Sequence, residues 1–234
     1  MNLMDDINLT QQFLSNMERK ILSGEWAVAS LIPSFRDLAK EFCVSRSVVN
    51  TAISGLETKG YVTIIPRKGA LVKNWRTEGT LSILNDAVFL GYFDPEIIDS
   101  LFSILSFIEC NGVFEAASRA KSEDLSELNK IIEQEAVEKN HEKLALLDFY
   151  FHKKITTMSN NMAYSLIFSS LEKSVLAIAA IYTSDESAKQ QSLKMHKDIY
   201  NSLKERDGQR AKWEIQTLLD HLRVLVTYKT CNLK

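Results

Sequence analysis

Helical periodicity of the apolar residues is the feature that most constrains the fold of this chain. Apolar side chains recur at helical spacing along most of the sequence, and strand-like patterning occurs once, in YVTII and ALV on either side of PRKG. The sequence therefore predicts a mainly α protein with one small β-hairpin. No GxGxxG, GxxxxGK or GxSxG motif is present, which argues against a nucleotide-binding sheet and against an α/β-hydrolase.

A length of 234 residues suits two modest domains. We place the boundary after Trp75, just ahead of the polar stretch around Gly79, so that residues 1–75 form one domain and residues 76–234 the other. The second domain is predicted to be an all-α bundle of about seven helices. Their expected spans are 81–91, 95–120, 123–138, 142–159, 162–183, 187–206 and 208–230.

The charge is distributed unevenly between these two parts. The whole chain carries 28 basic and 30 acidic residues, but residues 1–75 have a net charge of +2 and residues 76–234 a net charge of −4. Within 34–75, seven basic residues face three acidic ones. A basic region on an acidic protein indicates a polyanion such as nucleic acid as a partner, and an ordinary solvated surface is the alternative.

The sequence also limits where the protein works. No apolar run approaches the roughly 20 residues that a membrane helix needs, and the first residues are acidic and polar, unlike a signal peptide. The three cysteines form no CxxC pair, so a thiolate metal site is not indicated. We therefore expect a cytoplasmic protein without a membrane partner.

Three predicted helices precede the hairpin. In the first, Thr10 is a candidate N-cap, and Phe13, Met17 and Ile21 share one face. Ser34 is expected to cap the short helix FRDLAKEF, and Ser45 the helix RSVVNTAISGLETK that ends at Gly60. The last helix is predicted to bury five residues and to expose four: Val48, Val49, Ala52, Ile53 and Leu56 inward; Arg46, Ser47, Asn50 and Thr51 outward.

This order of elements is that of a winged helix-turn-helix. Short polar side chains and an arginine at the start of the third helix are typical of a recognition helix, whose first residues reach base edges in the major groove. The basic hairpin tip is suited to phosphate or to the minor groove. A small helical module that binds another protein is the competing interpretation.

The segment IPSFRDLAKEFCVSRSVVNTAISGLETKGYV…KGALV resembles the N-terminal signature of the GntR family of bacterial transcription regulators. The resemblance implies a DNA-binding site in the recognition helix and the wing, made of Arg36, Ser45, Arg46, Ser47, Asn50, Lys68 and Gly69. Asn50 stands where the family commonly has arginine, and Arg67 stands where the wing often has its first glycine. Because asparagine pairs with adenine where arginine prefers guanine, the first departure affects the operator sequence.

The four histidines all lie in the second part of the chain. Asp148 and His152 are four residues apart on one predicted helix, which is a spacing from which a metal takes two ligands. His196 and His221 lie on the last two predicted helices and so can reach the same cavity. An ordinary ion pair on the helix surface is the alternative interpretation of Asp148 and His152.

Two segments, LDFYFHKKITTMSNN and KMHKDIYNSLKERDGQRA, resemble the all-helical FCD effector domain of FadR-type GntR regulators. The resemblance implies a divalent metal, often zinc or nickel, held by Asp148, His152, His196 and His221. The family's last histidine falls at Leu218, so His221 lies about one helical turn late. Leu105 also replaces an arginine that often binds the effector carboxylate, and Glu109 matches the acidic position of the same motif.

The resemblance implies a metabolite-responsive transcription regulator and not an enzyme. Such a protein binds a palindromic double-stranded operator as a homodimer, and a small-molecule effector, here an organic acid at the metal site, changes its affinity for DNA. Two alternatives remain open at this stage. One is a regulator that responds to fatty acyl-CoA and holds no metal, and the other is a helical-bundle metalloenzyme.

Overall fold

A computed structural model of the chain describes residues 3–231, which form twelve helices and one two-stranded sheet. By its internal contacts the chain divides into two compact units, with the division after Tyr92. The predicted fold class, a winged helix-turn-helix with a hairpin wing followed by a helical bundle, is confirmed.

The first unit contains the three predicted helices, the hairpin and two further helices. Its elements are α1 (Leu3–Leu22), α2 (Phe35–Glu41), α3 (Arg46–Lys59), β1 (Val62–Ile65), β2 (Gly69–Val72), α4 (Trp75–Glu78) and α5 (Ser82–Phe89). The two strands are antiparallel, with Val62 opposite Val72 and Ile65 opposite Gly69. Helix α1 begins at Leu3, so the expected N-cap at Thr10 is wrong: Thr10 lies inside the helix.

The local signals around the recognition helix α3 are confirmed. Ser34 accepts a hydrogen bond from the Asp37 amide, and Ser45 accepts one from the Val48 amide, each at 3.2 Å. All five residues of α3 predicted to face inward are buried, as are Phe13, Met17 and Ile21 of α1. Gly60 ends α3 at φ +86°, and a Cβ at this position would lie 2.8 Å from the Glu78 carbonyl oxygen, so only glycine fits.

Lys59, the last residue of α3, joins that helix to α1 and α5 through two ion pairs. Its Nζ lies 2.6 Å from Glu18 Oε1 and 2.8 Å from Asp86 Oδ2, and both carboxylates are buried. Burial lowers the pKa of Lys59, but the hydrogen bonds to Asp86 and Glu18 outweigh it and raise the pKa above its usual value. Residues 76–92, which we assign from sequence to the second domain, therefore pack with the first unit.

The second unit is a bundle of seven helices within the described residues. They are α6 (Pro95–Arg119), α7 (Ser122–Val137), α8 (His141–Met158), α9 (Met162–Ser170), α10 (Glu172–Thr183), α11 (Glu186–Lys204) and α12 (Gly208–Cys231). The single helix expected over 162–183 is wrong, because the chain bends by 65° between α9 and α10. Phe168, in the last turn of α9, and Leu171, at the bend itself, are both fully buried, so the bend serves core packing.

Helix α6 is the central helix of this bundle and packs against α8 and α12. It is long and apolar enough to meet the length and composition criteria for a membrane span, but more than half of its most apolar stretch is buried inside the protein. Its buried residues include the charged Glu109. A long, buried, apolar helix of this kind is the normal centre of a helical bundle.

Replacing Lys59 with methionine is expected to lower the free energy of unfolding by about 3 kcal/mol, because two buried carboxylates lose their shared cation. The measurement is chemical denaturation followed by circular dichroism. Lys40→Met, at an exposed position of α2, is the matched control and should change stability by no more than about 0.5 kcal/mol. Equal stabilities for the two variants would show that the buried ion pairs do not stabilise the first unit.

Candidate metal centre and DNA-binding surface

The residues predicted to bind DNA are accessible on the first unit. The side chains of Arg36, Ser45, Arg46, Ser47, Asn50 and Lys68 are exposed, and Gly69 is half-buried. Arg46, Ser47 and Asn50 lie in the first two turns of α3, and Ser45 is the N-cap of this helix. This arrangement is that of a recognition helix with its N-terminal residues free to enter a groove.

Arg67, which stands where the wing of the family often has its first glycine, lies at the tip of the hairpin. Arg67 adopts φ +67°, a left-handed conformation that costs a residue with a Cβ about 1–2 kcal/mol. Glycine adopts it without that cost, which explains why a glycine is common at this point of the wing. The chain retains the turn and adds a second basic side chain beside Lys68.

In the second unit, Asp148, His152 and His196 converge into one buried cluster. Asp148 and His152 lie one turn apart on α8, and His196 comes from α11. Each offers a ligand atom, and the three atoms lie within 4.8 Å of one another. Asp148 Oδ1 is 3.8 Å from His152 Nε2 and 3.6 Å from His196 Nε2. Burial of all three side chains rules out the exposed ion pair considered from sequence.

Two more carboxylates orient the imidazole rings. His152 Nδ1 donates to Glu109 of α6, and His196 Nδ1 donates to Glu135 of α7 at 2.9 Å. Each ring therefore directs its Nε2 toward Asp148. Carboxylate–histidine pairs of this kind fix the tautomer and the orientation of metal-binding histidines.

His196 gives the most direct indication that the cluster is suited to a metal ion. Its Nε2 is buried and has no hydrogen-bond partner among the residues that the structure describes. The ring cannot turn to find one, since Phe151 stacks on it at a centroid distance of 3.8 Å and Glu135 holds the other nitrogen. A buried nitrogen without a partner is costly, and a metal ion would use its lone pair.

Tyr182 of α10 completes the surroundings of Asp148. Its hydroxyl donates to Asp148 Oδ1, the same oxygen that faces both histidines. Burial and the Asp148 carboxylate raise the pKa of Tyr182 well above its usual value, so the phenol remains protonated and can only donate here. Tyr182 therefore positions the carboxylate.

The charges of the cluster also favour a cation. Burial raises the pKa of Asp148, although the two histidines oppose this effect. Burial lowers the pKa of His152, but the carboxylates of Glu109, Asp148 and Glu135 outweigh it and raise the pKa to about 9. Three buried carboxylates thus surround two imidazoles, and the site attracts positive charge.

The residues fit a divalent metal ion. Two ligands at about 2.1 Å from one ion lie about 3–4 Å apart, which matches the separations from Asp148 Oδ1 to the two Nε2 atoms. Imidazole nitrogens with a carboxylate oxygen suit zinc, nickel or manganese. Such an ion, when bound, supplies a positive centre that attracts an anionic ligand.

The structure does not bring His221 into this cluster. His221 is a half-buried residue of α12 and is not among the residues whose ligand atoms group together within the described part of the chain. One turn earlier, Leu218 is fully buried. Leu105, which replaces the arginine of the family motif, is buried as well. The cluster therefore offers three candidate protein ligands among the described residues.

Sequence reasoning did not find Glu135 and Tyr182, and it did not identify Glu109 as a partner of His152. These residues lie 61, 34 and 43 positions from the side chains that they contact. No spacing rule covers such separations. A buried glutamate in an apolar helix is the one signal available, and it applies to Glu109 in α6.

Known families match both parts of the chain. Residues 9–72 match the family described as bacterial regulatory proteins, gntR family, and residues 100–221 match the FCD domain. Similar proteins include the galactonate operon transcriptional repressor of Escherichia coli K12, which is 24% identical over 91% of this chain and 94% of its own length. The fatty acid metabolism regulator protein of Proteus mirabilis is 25% identical over 76% of this chain and 74% of its own.

Solved structures share the fold. The structure described as "Lar controls the expression of the Listeria monocytogenes agr system and mediates virulence" has a TM-score of 0.70 at 17% identity and covers 98% of each chain. E. coli McbR/YncC has a TM-score of 0.52 at 13% identity and covers 94% of this chain and 97% of its own. The winged unit and the helical unit thus occur together in known proteins, and the chain belongs to the GntR family of bacterial regulatory proteins, with an FCD domain after its DNA-binding region.

Proposed function

We propose that this chain is a cytoplasmic, metabolite-responsive transcription regulator of the FadR type. It binds a palindromic operator as a homodimer, and a small organic acid at a divalent metal site changes its affinity for DNA. The observation that carries this proposal is the buried convergence of Asp148, His152 and His196, in which His196 Nε2 has no hydrogen-bond partner among the residues that the structure describes.

The DNA-binding half of the proposal rests on the surface of α3. Arg46 and Ser47 occupy the first turn, and Asn50 lies one turn later on the same exposed face. Arginine reads guanine and asparagine reads adenine in the major groove. A homodimer would present two such helices to the two halves of a palindrome, about one helical turn of DNA apart.

The effector half rests on the cluster in the bundle. A divalent ion on three protein ligands retains an open coordination position, which a carboxylate can occupy. One relative is named as a galactonate operon transcriptional repressor, and galactonate is a carboxylate, so this name supports the same class of ligand. Another relative is named as a fatty acid metabolism regulator, but three converging ligands with oriented histidines favour the metal over a metal-free acyl-CoA site.

A metalloenzyme is the less favoured alternative. Two of the carboxylates beside the cluster, Glu109 and Glu135, are occupied by hydrogen bonds from the histidines. The third, Asp148, is itself a candidate ligand. None of the three is therefore available as a general base, and the similar proteins that carry functional names are transcription regulators.

Arg46→Ala is expected to weaken operator binding by about 10-fold to 100-fold and to relax base preference at one position of each half-site, because a bidentate contact with a base is worth about 1–3 kcal/mol. Fluorescence anisotropy with a selected operator at fixed salt measures this change. Lys130→Ala, at an exposed position of α7, is the control and should bind like the wild type. Wild-type affinity for Arg46→Ala would remove this residue from the DNA-binding surface.

Lys68→Ala should act differently, because the wing lysine is expected to contact phosphate. Affinity should fall to a similar extent for specific and random DNA, and the slope of log affinity against log salt should decrease by about one unit. Titrations at four or more salt concentrations give the slope. A change in base preference with an unaltered slope would instead assign Lys68 to a base.

The purified protein is expected to hold about one divalent ion per chain, and His196→Ala should abolish this binding. Glu135→Gln should weaken it by about 10-fold to 100-fold, because the ring of His196 loses its orienting carboxylate. His221→Ala is the matched control and should retain the metal. Elemental analysis of untagged protein and competition with a chelator measure these effects.

Two results would contradict this assignment. One is wild-type protein that takes up no zinc, nickel or manganese, which would advance the metal-free acyl-CoA alternative. The other is equal loss of metal from the variants of His221 and His196, which would place the fourth histidine in the site.

A further inference from the structure

The tip of the wing hairpin is a tight turn with an arginine at an unusual position. The Lys68 amide donates to the Ile65 carbonyl oxygen at 3.0 Å, which closes a β-turn with Pro66 and Arg67 at its centre. The ring of Pro66 fixes its own φ at about −65°, and Arg67 has φ +67°, as in a type II turn. The third position of such a turn normally holds glycine or asparagine. An arginine there is not favoured by the backbone.

The side chain of Arg67 gains nothing within the chain that offsets this cost. It is exposed, and it makes no hydrogen bond, ion pair or ring contact with the residues that the structure describes. An exposed charge does not need a strained position, because the neighbouring Lys68 carries one without a positive φ. A strained residue whose charge has no partner in the described chain indicates a partner outside it.

The wing is attached to the recognition helix, so Arg67 keeps a fixed place relative to the bases that α3 faces. The Ile64 amide of β1 donates to Glu57 Oε1 of α3 at 2.7 Å. Tyr61 and Val62, at the base of the hairpin, are buried. The four residues of β1, at about 3.3 Å each, carry the tip about 13 Å from this base. The major groove is about 12 Å wide, so a tip with this reach can meet the adjacent minor groove while α3 lies in the major groove.

The chemistry of a guanidinium group suits the minor groove of A·T-rich DNA. Such a groove is narrow and has an enhanced negative potential, which attracts an inserted cation. Entry removes water from the cation, and a guanidinium group is more weakly hydrated than an ammonium group. A G·C pair adds the amino group of guanine to the floor of the groove. That amino group is a donor, and arginine, which has only donors, cannot pair with it.

We propose that Arg67 inserts into the minor groove next to the recognition helix and makes the operator require A·T pairs at that position. This inference rests on the DNA-binding part of the proposed function and deepens it. Lys68 contacts a phosphate at the edge of the groove, and Arg67 reads the floor of the groove and its width. A glycine at this point of the wing has no side chain with which to do so.

The test is fluorescence anisotropy at fixed salt with an operator duplex selected in vitro. The base pairs that flank each half-site are A·T, G·C or inosine·cytosine. Inosine lacks the amino group of guanine, so its pair with cytosine resembles A·T in the minor groove and G·C in the major groove. The wild type is expected to bind the A·T and inosine·cytosine duplexes alike, and the G·C duplex about 10-fold more weakly.

Three variants of the wing and a control separate the roles. In Arg67→Gly the three affinities should agree within about 2-fold, and Arg67→Lys should lose most of the preference although it keeps the charge. Lys68→Ala should retain the preference with a smaller salt slope. Lys130→Ala, at an exposed position of α7, is the control and should bind all three duplexes like the wild type.

Stability gives a second readout that a merely structural arginine would not produce. Arg67→Gly should raise the melting temperature by about 1–4 °C, because glycine adopts the left-handed turn without strain, while the same variant binds its operator more weakly. Differential scanning calorimetry measures the shift. A lower melting temperature together with weaker binding would assign Arg67 to the stability of the wing and would overturn the proposal.

The binding results can overturn the proposal in three further ways. An unchanged preference in Arg67→Gly, or equal binding of the A·T and G·C duplexes by the wild type, would remove Arg67 from the minor groove. Inosine·cytosine that behaves like G·C would place the contact in the major groove. Equal weakening of all three duplexes in Arg67→Gly, with the wild-type preference kept, would assign this residue to a phosphate. Each of these results leaves operator binding standing, whereas equal affinity of the wild type for selected and random duplexes would overturn the DNA-binding part of the proposed function itself.

Discussion

Pairing of buried carboxylates with histidines is the interaction on which the second unit depends. A carboxylate removed from water is costly unless an opposite charge or several hydrogen-bond donors face it. Glu109, Glu135 and Asp148 are all buried, and each contacts or faces a histidine of the same cluster. These contacts join α6, α7, α8 and α11. The same contacts therefore fix both the packing of the four helices and the geometry of the site.

In the first unit, buried carboxylates are paired with a lysine instead of with histidines. There a single ammonium group, that of Lys59, faces two buried carboxylates from two other helices. A flexible lysine can satisfy both acids at once, which makes this network complete without any bound group. The cluster in the bundle differs because a rigid imidazole keeps one buried nitrogen without a hydrogen-bond partner in the described part of the chain. That difference supports our proposal that the second network binds a metal ion, whereas the first joins three helices of its own unit.

The sequence predicts those features that depend on near neighbours. The caps at Ser34 and Ser45, the buried face of α3 and the pairing of Asp148 with His152 all follow from spacings of a few residues. Features that depend on packing between distant residues are not predicted by the spacing of residues in the sequence. The bend at Leu171 depends on the core on both sides of it, and helix α5 belongs to the first unit, where the ion pair of Asp86 with Lys59 joins it to α3.

The candidate site, too, is predicted from the sequence only in part. The family resemblance supplies His196 as a ligand, but it is the fold that brings its Nε2 to 3.6 Å from Asp148. The family pattern places the fourth histidine at Leu218, and the sequence leaves open whether His221 reaches the site. His221 is not among the residues whose ligand atoms group together within the described part of the chain, and it lies about one helical turn, or about 5 Å along α12, past Leu218.

The contacts between the orienting carboxylates and the histidines affect when the helical unit can complete its fold during synthesis. Glu109 lies near the start of the bundle and His196 lies in its penultimate helix, so the complete site needs chain segments that leave the ribosome far apart in time. Until α11 has been synthesised, Glu135 lacks the imidazole that it pairs with in the finished fold. Glu135 must then stay hydrated, although Glu109 can already pair with His152 of α8. The helical unit is thus expected to complete its core late, in one cooperative step at the end of synthesis.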